Sequence, residues 1–437
     1  MLSANQKIFL LFLTVLIYLS YFLGFYFNEN SIGSGGYKGD LVWMWLNFDI
    51  FKNNNLVEAI NHKDFFGNRT PLLYVINTLF NPLINDIDNY RLSIFILSLS
   101  SPIILYLCLK EKYKKINKEI LLLVSSIILL SPYYRTSSIW GLEIVYGIIT
   151  MLISIYYIIK LDNNKKACFF DILILTFFSS LTVYFDQKLL FVPIFALIRI
   201  FLIKNNISNK INAILLYGIF ALPFVYLIIK WNGIVPPATV LANPEAANNL
   251  EQFNLDFYNI GYATTIMALY LLPLLVFIFN FSMFKFFVFI KFNIWKILFF
   301  FLTYIFLFIY FDWYQLAQSK LPSYNNATYG LGFINKFSFI LFEDITYRKI
   351  FLIFSFLFSW TVVYSFFNGK ITNTLLILFF FVISTLLTPM MQEYFDPYMI
   401  IVALLCFKCE FNIDFKNTIF LIFYNSTLLF SANIYYQ

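Results

Sequence analysis

Charged residues are scarce in this sequence. They make up 12% of its 437 residues, whereas 61% are apolar. Soluble domains average about 25% charged and 45–50% apolar residues, so a large soluble domain is excluded. A bilayer core about 30 Å thick takes about 20 helical residues, which leaves room for a dozen or so crossings. The composition therefore predicts an all-α fold, a polytopic transmembrane helical bundle.

Histidine and cysteine are scarce too, with one His and four Cys in the chain. Cys406 and Cys409 have CxxC spacing, but one such pair without histidines or a second pair is a weak metal signal. The sequence has no P-loop, GxGxxG, HExxH or GxSxG motif, so ATP-driven transport and serine hydrolysis lack their usual signatures. We expect no metal and no cofactor.

Lys and Arg outnumber Asp and Glu by 30 to 23, a formal charge of +7. Most of these cations lie in short runs between apolar segments, which is typical of the cytoplasmic loops of membrane proteins. The excess of Lys and Arg therefore indicates which loops are cytoplasmic, and we expect no nucleic-acid partner. The loops predicted to be cytoplasmic are 110–118, 160–166, 204–210, 285–296, 369–370 and 408–416. The segments predicted to lie outside are 28–90, 134–141, 185–188, 231–258, 312–348 and 389–397.

One apolar segment does not fit this alternation. Thr70–Ile84 is only about 15 residues long, and Pro71 and Pro82 lie near its ends. If it spanned the membrane, the lysine-rich loop 110–118 would lie outside, so we expect an interfacial or re-entrant helix in the first outer loop. This gives about thirteen spans in a single integral-membrane domain, 1–437, with the N-terminus inside and the C-terminus outside.

The polar residues of the outer segments are the candidates for chemistry. Asp40 follows a glycine-rich stretch and precedes the aromatic run 41–45, where partial burial would raise its pKa and make it a better general base. The alternative is that Asp40 caps a helix over Leu41–Phe51. Arg69, just before Pro71, suits bidentate phosphate contacts near a helix N-terminus.

Other ionisable residues lie at the predicted outer ends of spans, where charge is costly and is a functional hypothesis by default. Asp186 and Lys188 are two residues apart, and they either serve a site, or pair with each other or cap the two helices. The residues predicted to bind substrate or donor phosphate are Asp64, Arg69, Arg135, Asp186, Lys188 and Glu393.

Six short stretches of the sequence carry a family resemblance. They are Asp64–Tyr74 with Pro71, Asn89–Leu92, Tyr133–Thr136, Phe185–Gln187, Trp231–Gly233 and Glu393–Tyr398. In this order they resemble the GT-C superfamily of integral-membrane glycosyltransferases, and most nearly the dolichyl-phosphate-glucose-dependent alpha-1,2-glucosyltransferases of N-glycosylation. The sequence departs from that family where Leu41 follows Asp40 in place of a second acidic residue.

The resemblance implies a GT-C-like fold that moves a hexose from a polyprenyl-phosphate sugar donor to a lipid-linked or surface glycan acceptor, with inversion. Asp40 would take the proton of the acceptor hydroxyl, and Arg69, Arg135 or Lys188 would hold the donor phosphate. The expected partners are this donor, this acceptor and membrane lipids. A flippase or transporter and a polysaccharide polymerase remain alternatives.

Composition also bears on location. The richness in Lys, Asn, Ile and Phe suggests an AT-rich genome. The expected location is therefore a bacterial plasma membrane, with the active site on the outer face, or the endoplasmic reticulum membrane if the source is eukaryotic.

Overall fold

The structure is a computed structural model that describes residues 2–32, 36–67, 69–163, 168–202, 207–242, 257, 259–310, 332–367, 369–386 and 390–436. Within these residues every regular element is a helix, which confirms the all-α prediction. The predicted outer segments 231–258 and 312–348 lie partly outside the described residues, as do parts of loops 160–166 and 204–210.

The chain divides into two compact units. Unit 1 comprises 1–253 and 422–437, and unit 2 comprises 254–421. That the two form a single integral-membrane domain, as the sequence predicts, stays a prediction.

The helices of unit 1 come from the first half of the chain. They are α1 Ala4–Tyr26, α2 Gly36–Asn53, α3 Leu56–Ile60, α4 Leu72–Phe80, α5 Ile87–Ser98, α6 Ser100–Lys112, α7 Lys118–Ser125, α8 Pro132–Ile139, α9 Ile144–Asn163, α10 Phe169–Phe185, α11 Phe191–Leu202, α12 Ile207–Trp231 and α13 Pro237–Ala242. The 3₁₀ helices Ser126–Leu130 and Gln187–Leu190 connect α7 to α8 and α10 to α11.

The helices of unit 2 follow. They are α14 Asn259–Phe279, α15 Met283–Tyr310, α16 Gly332–Leu341, α17 Ile345–Ser365, α18 Ile371–Thr385, α19 Tyr398–Cys406 and α20 Phe415–Tyr436, the last of which runs on into unit 1. A 3₁₀ turn, Gln392–Tyr394, precedes α19.

Many of these helices are long and apolar enough to cross a bilayer. By length and composition, the described residues hold eight such helices, or nine if the bent pair formed by Lys118–Leu130 and Pro132–Ile139 is one span. The eight are Ala4–Tyr26, Ile87–Lys112, Ile144–Asn163, Ile207–Trp231, Asn259–Phe279, Met283–Ile309, Ile345–Ser365 and Phe415–Tyr436. The second of these, Ile87–Lys112, takes α5 and α6 together. The protein is therefore a multi-pass helical membrane protein. Helix α4 has 9 residues, too few to span a bilayer core.

Polar side chains fix the starts of several helices. Ser3 and Gln6 form a capping box at α1, and the Asp86 carboxylate accepts from two backbone N–H groups at the start of α5. Ser131 caps α8, which has Pro132 in its first turn. These caps satisfy backbone N–H groups that a helix start leaves without intrahelical partners.

Charged side chains mark the two ends of unit 1. Helix α9 has 20 residues, a length of about 30 Å, with Glu143 just before its start. Near its other end, Asp162 forms an ion pair with Arg199, and Lys160 lies 2.8 Å from Asp171. We call the end where α9 begins the site end, and the opposite end the far end. The two ends are thus separated by about the thickness of a hydrocarbon core.

The far end gathers the starts of lysine-rich loops. Asn163 donates to a carboxylate oxygen of Glu111 at 2.7 Å, and Lys7 lies 4.0 Å from Glu119. The predicted cytoplasmic loop 110–118 and the described residues 160–163 of the next one therefore adjoin one end of unit 1, with the start of α1.

Candidate functional site

Asp40 lies in the second turn of α2, which begins at Gly36. The alternative that Asp40 caps a helix beginning at Leu41 is therefore wrong, because the helix starts earlier. The first turn of α2 comes from the glycine-rich stretch instead. The aromatic run alone does not predict this earlier start.

The position of Asp40 on α2 is informative. Met44, Asn47 and Phe51 follow it at spacings of four, seven and eleven residues, which lie on one helix face, and all three are buried. Asp40 is exposed, although it continues the same face. The inward face of α2 thus ends in a carboxylate that is open to its surroundings.

The segment that follows α3 folds back along α2. Asn47 donates to the carbonyl of Phe66 at 2.5 Å and accepts from the Phe66 N–H at 3.2 Å. It also donates to the phenol oxygen of Tyr74 at 3.0 Å. Burial raises the pKa of Tyr74 to about 12, so its phenol is neutral at physiological pH. These contacts place the backbone leading to Arg69 beside the second half of α2.

Asp64 lies outside this packing. Its carboxylate is exposed and lies 3.8 Å from His62 Nδ1, which also accepts from the Asp64 N–H at 3.3 Å. The lone histidine therefore stabilises a local turn. Asp64 is placed on the surface of the first outer loop.

Arg69 forms an ion pair with Glu143 at the site end. The Glu143 side chain is 11% exposed and that of Arg69 is 29% exposed. The neighbouring Thr70 hydroxyl donates to the carbonyl of Tyr184 at 2.5 Å, which ties this segment to the end of α10. The sequence predicted Arg69 as a phosphate ligand but gave it no protein partner.

Asp186 and Lys188 form the second ion pair, with Lys188 Nζ 3.5 Å from Asp186 Oδ2. Asp186 also accepts from the Lys188 backbone N–H and so caps the 3₁₀ helix Gln187–Leu190. Lys188 Nζ donates to the phenol oxygen of Tyr133 at 3.2 Å. The alternative that these two residues pair with each other is thus confirmed, and Asp186 alone lies at the helix ends as a cap. Both residues still belong to the candidate site. Through its hydrogen bond to Tyr133, Lys188 links α8 to the end of α10.

The first turns of α9 link the two ion pairs. Gly147, one turn into α9 from Glu143, lies close enough to Asp186 that a Cβ built there would be 3.5 Å from the Asp186 Cβ. Tyr146 stacks on Phe185 with ring centroids 5.0 Å apart. Tyr146 also donates to Asn77 of α4 at 3.1 Å. We call Arg69, Glu143, Asp186, Lys188 and Tyr133 the site-end cluster.

Arg135 is a buried residue beside this cluster. Its side chain is only 4% exposed, and its Nε donates to Glu29 Oε2 at 2.6 Å. It also donates to the carbonyl and the hydroxyl of Ser20 in α1. The charge of Arg135 is matched within the fold, and among the three cations predicted to hold the phosphate its side chain is the least accessible.

Glu393 belongs to unit 2. It lies in the 3₁₀ turn Gln392–Tyr394 and is half-buried. Its neighbour Gln392 accepts from the Phe333 N–H at 3.1 Å and donates to the Tyr270 phenol at 2.9 Å. Glu393 is therefore placed next to a small set of uncharged polar groups.

Several polar contacts were not predicted from the sequence. Thr239 accepts from the Gly67 N–H at 2.9 Å and donates to the Gly67 carbonyl at 3.0 Å, which holds α13 against the first outer loop. Glu29, the partner of Arg135, was also missed because the two are far apart in sequence. Asp86-Ile87-Asp88 has DxD spacing, but Asp86 caps α5 and Asp88 pairs with Arg91 at 3.1 Å.

Among the described residues, no group of three or more His, Cys, Asp or Glu side chains is placed to hold a metal ion. A comparison of the sequence with models of known protein families and with curated proteins found no match.

Proposed function

We propose that the chain is a GT-C-like glycosyltransferase that moves a hexose from a polyprenyl-phosphate sugar to a lipid-linked or surface glycan acceptor. The observation that carries this proposal is the site-end cluster, in which two ion pairs lie at the same end of α9 in a membrane helical bundle. The finer expectations of about thirteen spans, an outward-facing site and a bacterial plasma membrane belong to the same proposal.

The cluster suits a lipid-borne phosphate. A guanidinium presents five N–H donors in a planar fork, and a single carboxylate engages two of them at most. Arg69 is the more exposed member of its pair, so a phosphate approaching the site end meets its guanidinium before the Glu143 carboxylate. Lys188 adds a second cation, which would stabilise the charge that develops on the departing phosphate.

Asp40 supplies the base in this proposal. It is exposed at the start of the inward face of α2, so an acceptor hydroxyl has access to its carboxylate. The carboxylate takes the hydroxyl proton, the acceptor oxygen bonds to the anomeric carbon, and the bond from that carbon to the donor phosphate oxygen breaks. The lipid phosphate leaves as an anion, and the anomeric carbon is inverted.

The test compares two carboxylates of the same helix. Purified protein is given a panel of labelled polyprenyl-phosphate monosaccharides with membrane glycans as acceptors. Asp40→Asn is expected to lower kcat by roughly 10²–10⁴, with donor binding retained, because general-base catalysis contributes about that factor. The control is Asp49→Asn, also exposed on α2 and 3.6 Å from Lys52, which should keep wild-type turnover.

Two outcomes would contradict the proposal in different ways. Full activity in Asp40→Asn removes Asp40 as the base but leaves the transferase intact. If no donor in the panel is consumed by the wild type, the transferase itself is wrong.

One observation favours the transporter as a second candidate. The helices Lys118–Leu130 and Pro132–Ile139 meet at a bend of 68°, and discontinuous helices of this kind form substrate sites in many transporters. Movement of a labelled lipid-linked sugar across a reconstituted vesicle without chemical change would support this candidate. Chemical transfer without movement would exclude it.

A further inference from the structure

Asn335 is a buried amide with unmet hydrogen-bonding capacity. Its side chain lies in α16 and is 1% exposed. In the part of the chain that the structure describes, neither its Oδ1 nor its Nδ2 has a hydrogen-bond partner. Leaving both groups of a buried amide unsatisfied is costly, and an apolar residue of the same shape would remove that cost.

The position of Asn335 shows what it faces. Gly332, Asn335 and Ser338 are buried and three residues apart, so they share one face of α16. Gly332 has a φ of +77°, and a Cβ there would collide with Ile266 of α14. The buried face of α16 therefore lies against α14.

Other uncharged polar groups line the same helix pair. Tyr262 and Tyr270 lie four residues either side of Ile266, on its face of α14, and both are buried. Gln392 bridges the two helices, because it accepts from Phe333 of α16 and donates to Tyr270 of α14. Glu393 is the next residue in the chain after Gln392. Two phenols and the Asn335 amide thus lie on α14 and α16, and the Gln392 amide joins the two helices with the Glu393 carboxylate next to it in the chain.

We propose that the α14–α16 face of unit 2 binds a neutral, hydroxyl-rich ligand, a sugar, through the Asn335 amide. A sugar hydroxyl both donates and accepts, so a pair of adjacent hydroxyls satisfies Oδ1 and Nδ2 together. Phenols and amides complete such a site, and a carboxylate accepts from hydroxyls while it repels a phosphate. This site lies in unit 2, whereas the site-end cluster lies in unit 1, and its assignment does not depend on the proposed transfer reaction.

A matched pair of asparagines tests the role of Asn335. Asn373 is also buried in unit 2, at 0% exposed, but its amide donates to the Phe366 carbonyl at 2.6 Å and accepts from the Lys408 N–H at 2.7 Å. Asn335→Leu is expected to raise the Tm, and Asn373→Leu to lower it, because only the second change breaks hydrogen bonds. A Tm lowered by Asn335→Leu would overturn the proposal, since the amide would then serve the fold.

Binding is measured on the full-length protein in a zwitterionic detergent without a sugar headgroup. Glucose, galactose, mannose and N-acetylglucosamine are the probes, and saturation-transfer NMR reads binding without turnover. We expect at least one sugar to bind the wild type and to bind Asn335→Leu roughly tenfold or more weakly, as losing hydrogen bonds to a buried amide implies. Asn373→Leu should keep the wild-type affinity.

Two results would overturn the proposal. One is that no sugar binds the wild type, and the other is that Asn335→Leu binds sugar as well as the wild type does, which would leave a buried water as the partner of the amide. The binding measurement needs no turnover and no polyprenyl-phosphate donor. Failure of sugar binding and failure of the transferase are therefore read separately.

Discussion

The two units satisfy their buried polar groups in different ways. The ion pairs described above, which include Arg69–Glu143, Arg135–Glu29 and Asp186–Lys188, all lie in unit 1. The buried polar groups described in unit 2 are hydroxyls, phenols and amides, apart from Asp396. A buried charge needs its partner, because removing one member of a pair leaves an uncompensated charge. An unpartnered amide costs less and can be retained for a ligand.

The largest expected effect on stability is at the Arg135–Glu29 pair of unit 1, whose side chains are 4% and 12% exposed. Arg135→Met leaves the Glu29 carboxylate without its cation and should lower the free energy of unfolding by about 3–5 kcal/mol. Thermal unfolding in detergent measures this loss. Adding Glu29→Gln to Arg135→Met should recover part of it.

The exposed pair Lys52–Asp49 is the control, for which Lys52→Met should cost at most about 1 kcal/mol. Equal losses at the two sites would remove the distinction between buried and exposed pairs.

The second prediction separates chemistry from charge pairing within unit 1. Under the proposed function, Arg69→Met should lower the rate of sugar transfer by roughly 10²–10³, the usual loss for one charge-stabilising group. Arg199 also pairs with a carboxylate, but at the far end. Arg199→Met should therefore keep the transfer rate of the folded protein. If both variants lose transfer equally, Arg69 acts through the fold and not on the phosphate.

A third prediction concerns the space around the Arg135–Glu29 pair. A Cβ at Gly24 would lie 2.4 Å from Glu29 Oε2 and 2.7 Å from Arg135 Nη2, so the pair must shift to admit it. Gly24→Ala should lower the free energy of unfolding by about 1–3 kcal/mol, as overpacking does. Gly218, also within a helix, has no atom within 4 Å of such a Cβ among the described residues. Gly218→Ala should be neutral or slightly stabilising, because alanine favours a helix.

The smallest effect is at an exposed carboxylate of unit 2. Asp344 accepts from the Thr346 N–H at 2.7 Å, and this hydrogen bond holds the pKa of Asp344 below its ordinary value of 3.8. A lowered pKa in the folded state means that the stabilisation is present above pH 3.8 and is lost as the pH falls through the folded value. The protection factors of amides in the first turn of α17, which correct for the intrinsic pH dependence of hydrogen exchange, should therefore fall at low pH. Asp344→Asn keeps a cap without a titrating group, so it should remove this pH dependence.

The sequence predicts the fold class because composition determines it, and it predicts α4 as a short helix because two prolines limit that segment. It also offered the pairing of Asp186 with Lys188 as an alternative, since two residues that close must meet. The pairs Arg69–Glu143 and Arg135–Glu29 could not be predicted, because their partners lie on elements far apart along the chain. The start of α2 was misjudged, since glycines at 35–36 gave no helical signal. Asn335 was missed because the sequence does not show whether a buried amide has hydrogen-bond partners. Only the packing of the helices does.

The contact between Thr239 and Gly67 also has a consequence for biosynthesis. The two residues are 172 positions apart in the chain. Translation at about 5–20 residues per second would take roughly 9–35 s to cover that distance. During this interval the first outer loop has left the ribosome but lacks α13, so the backbone ahead of Arg69 reaches its final arrangement only after several later helices have been made.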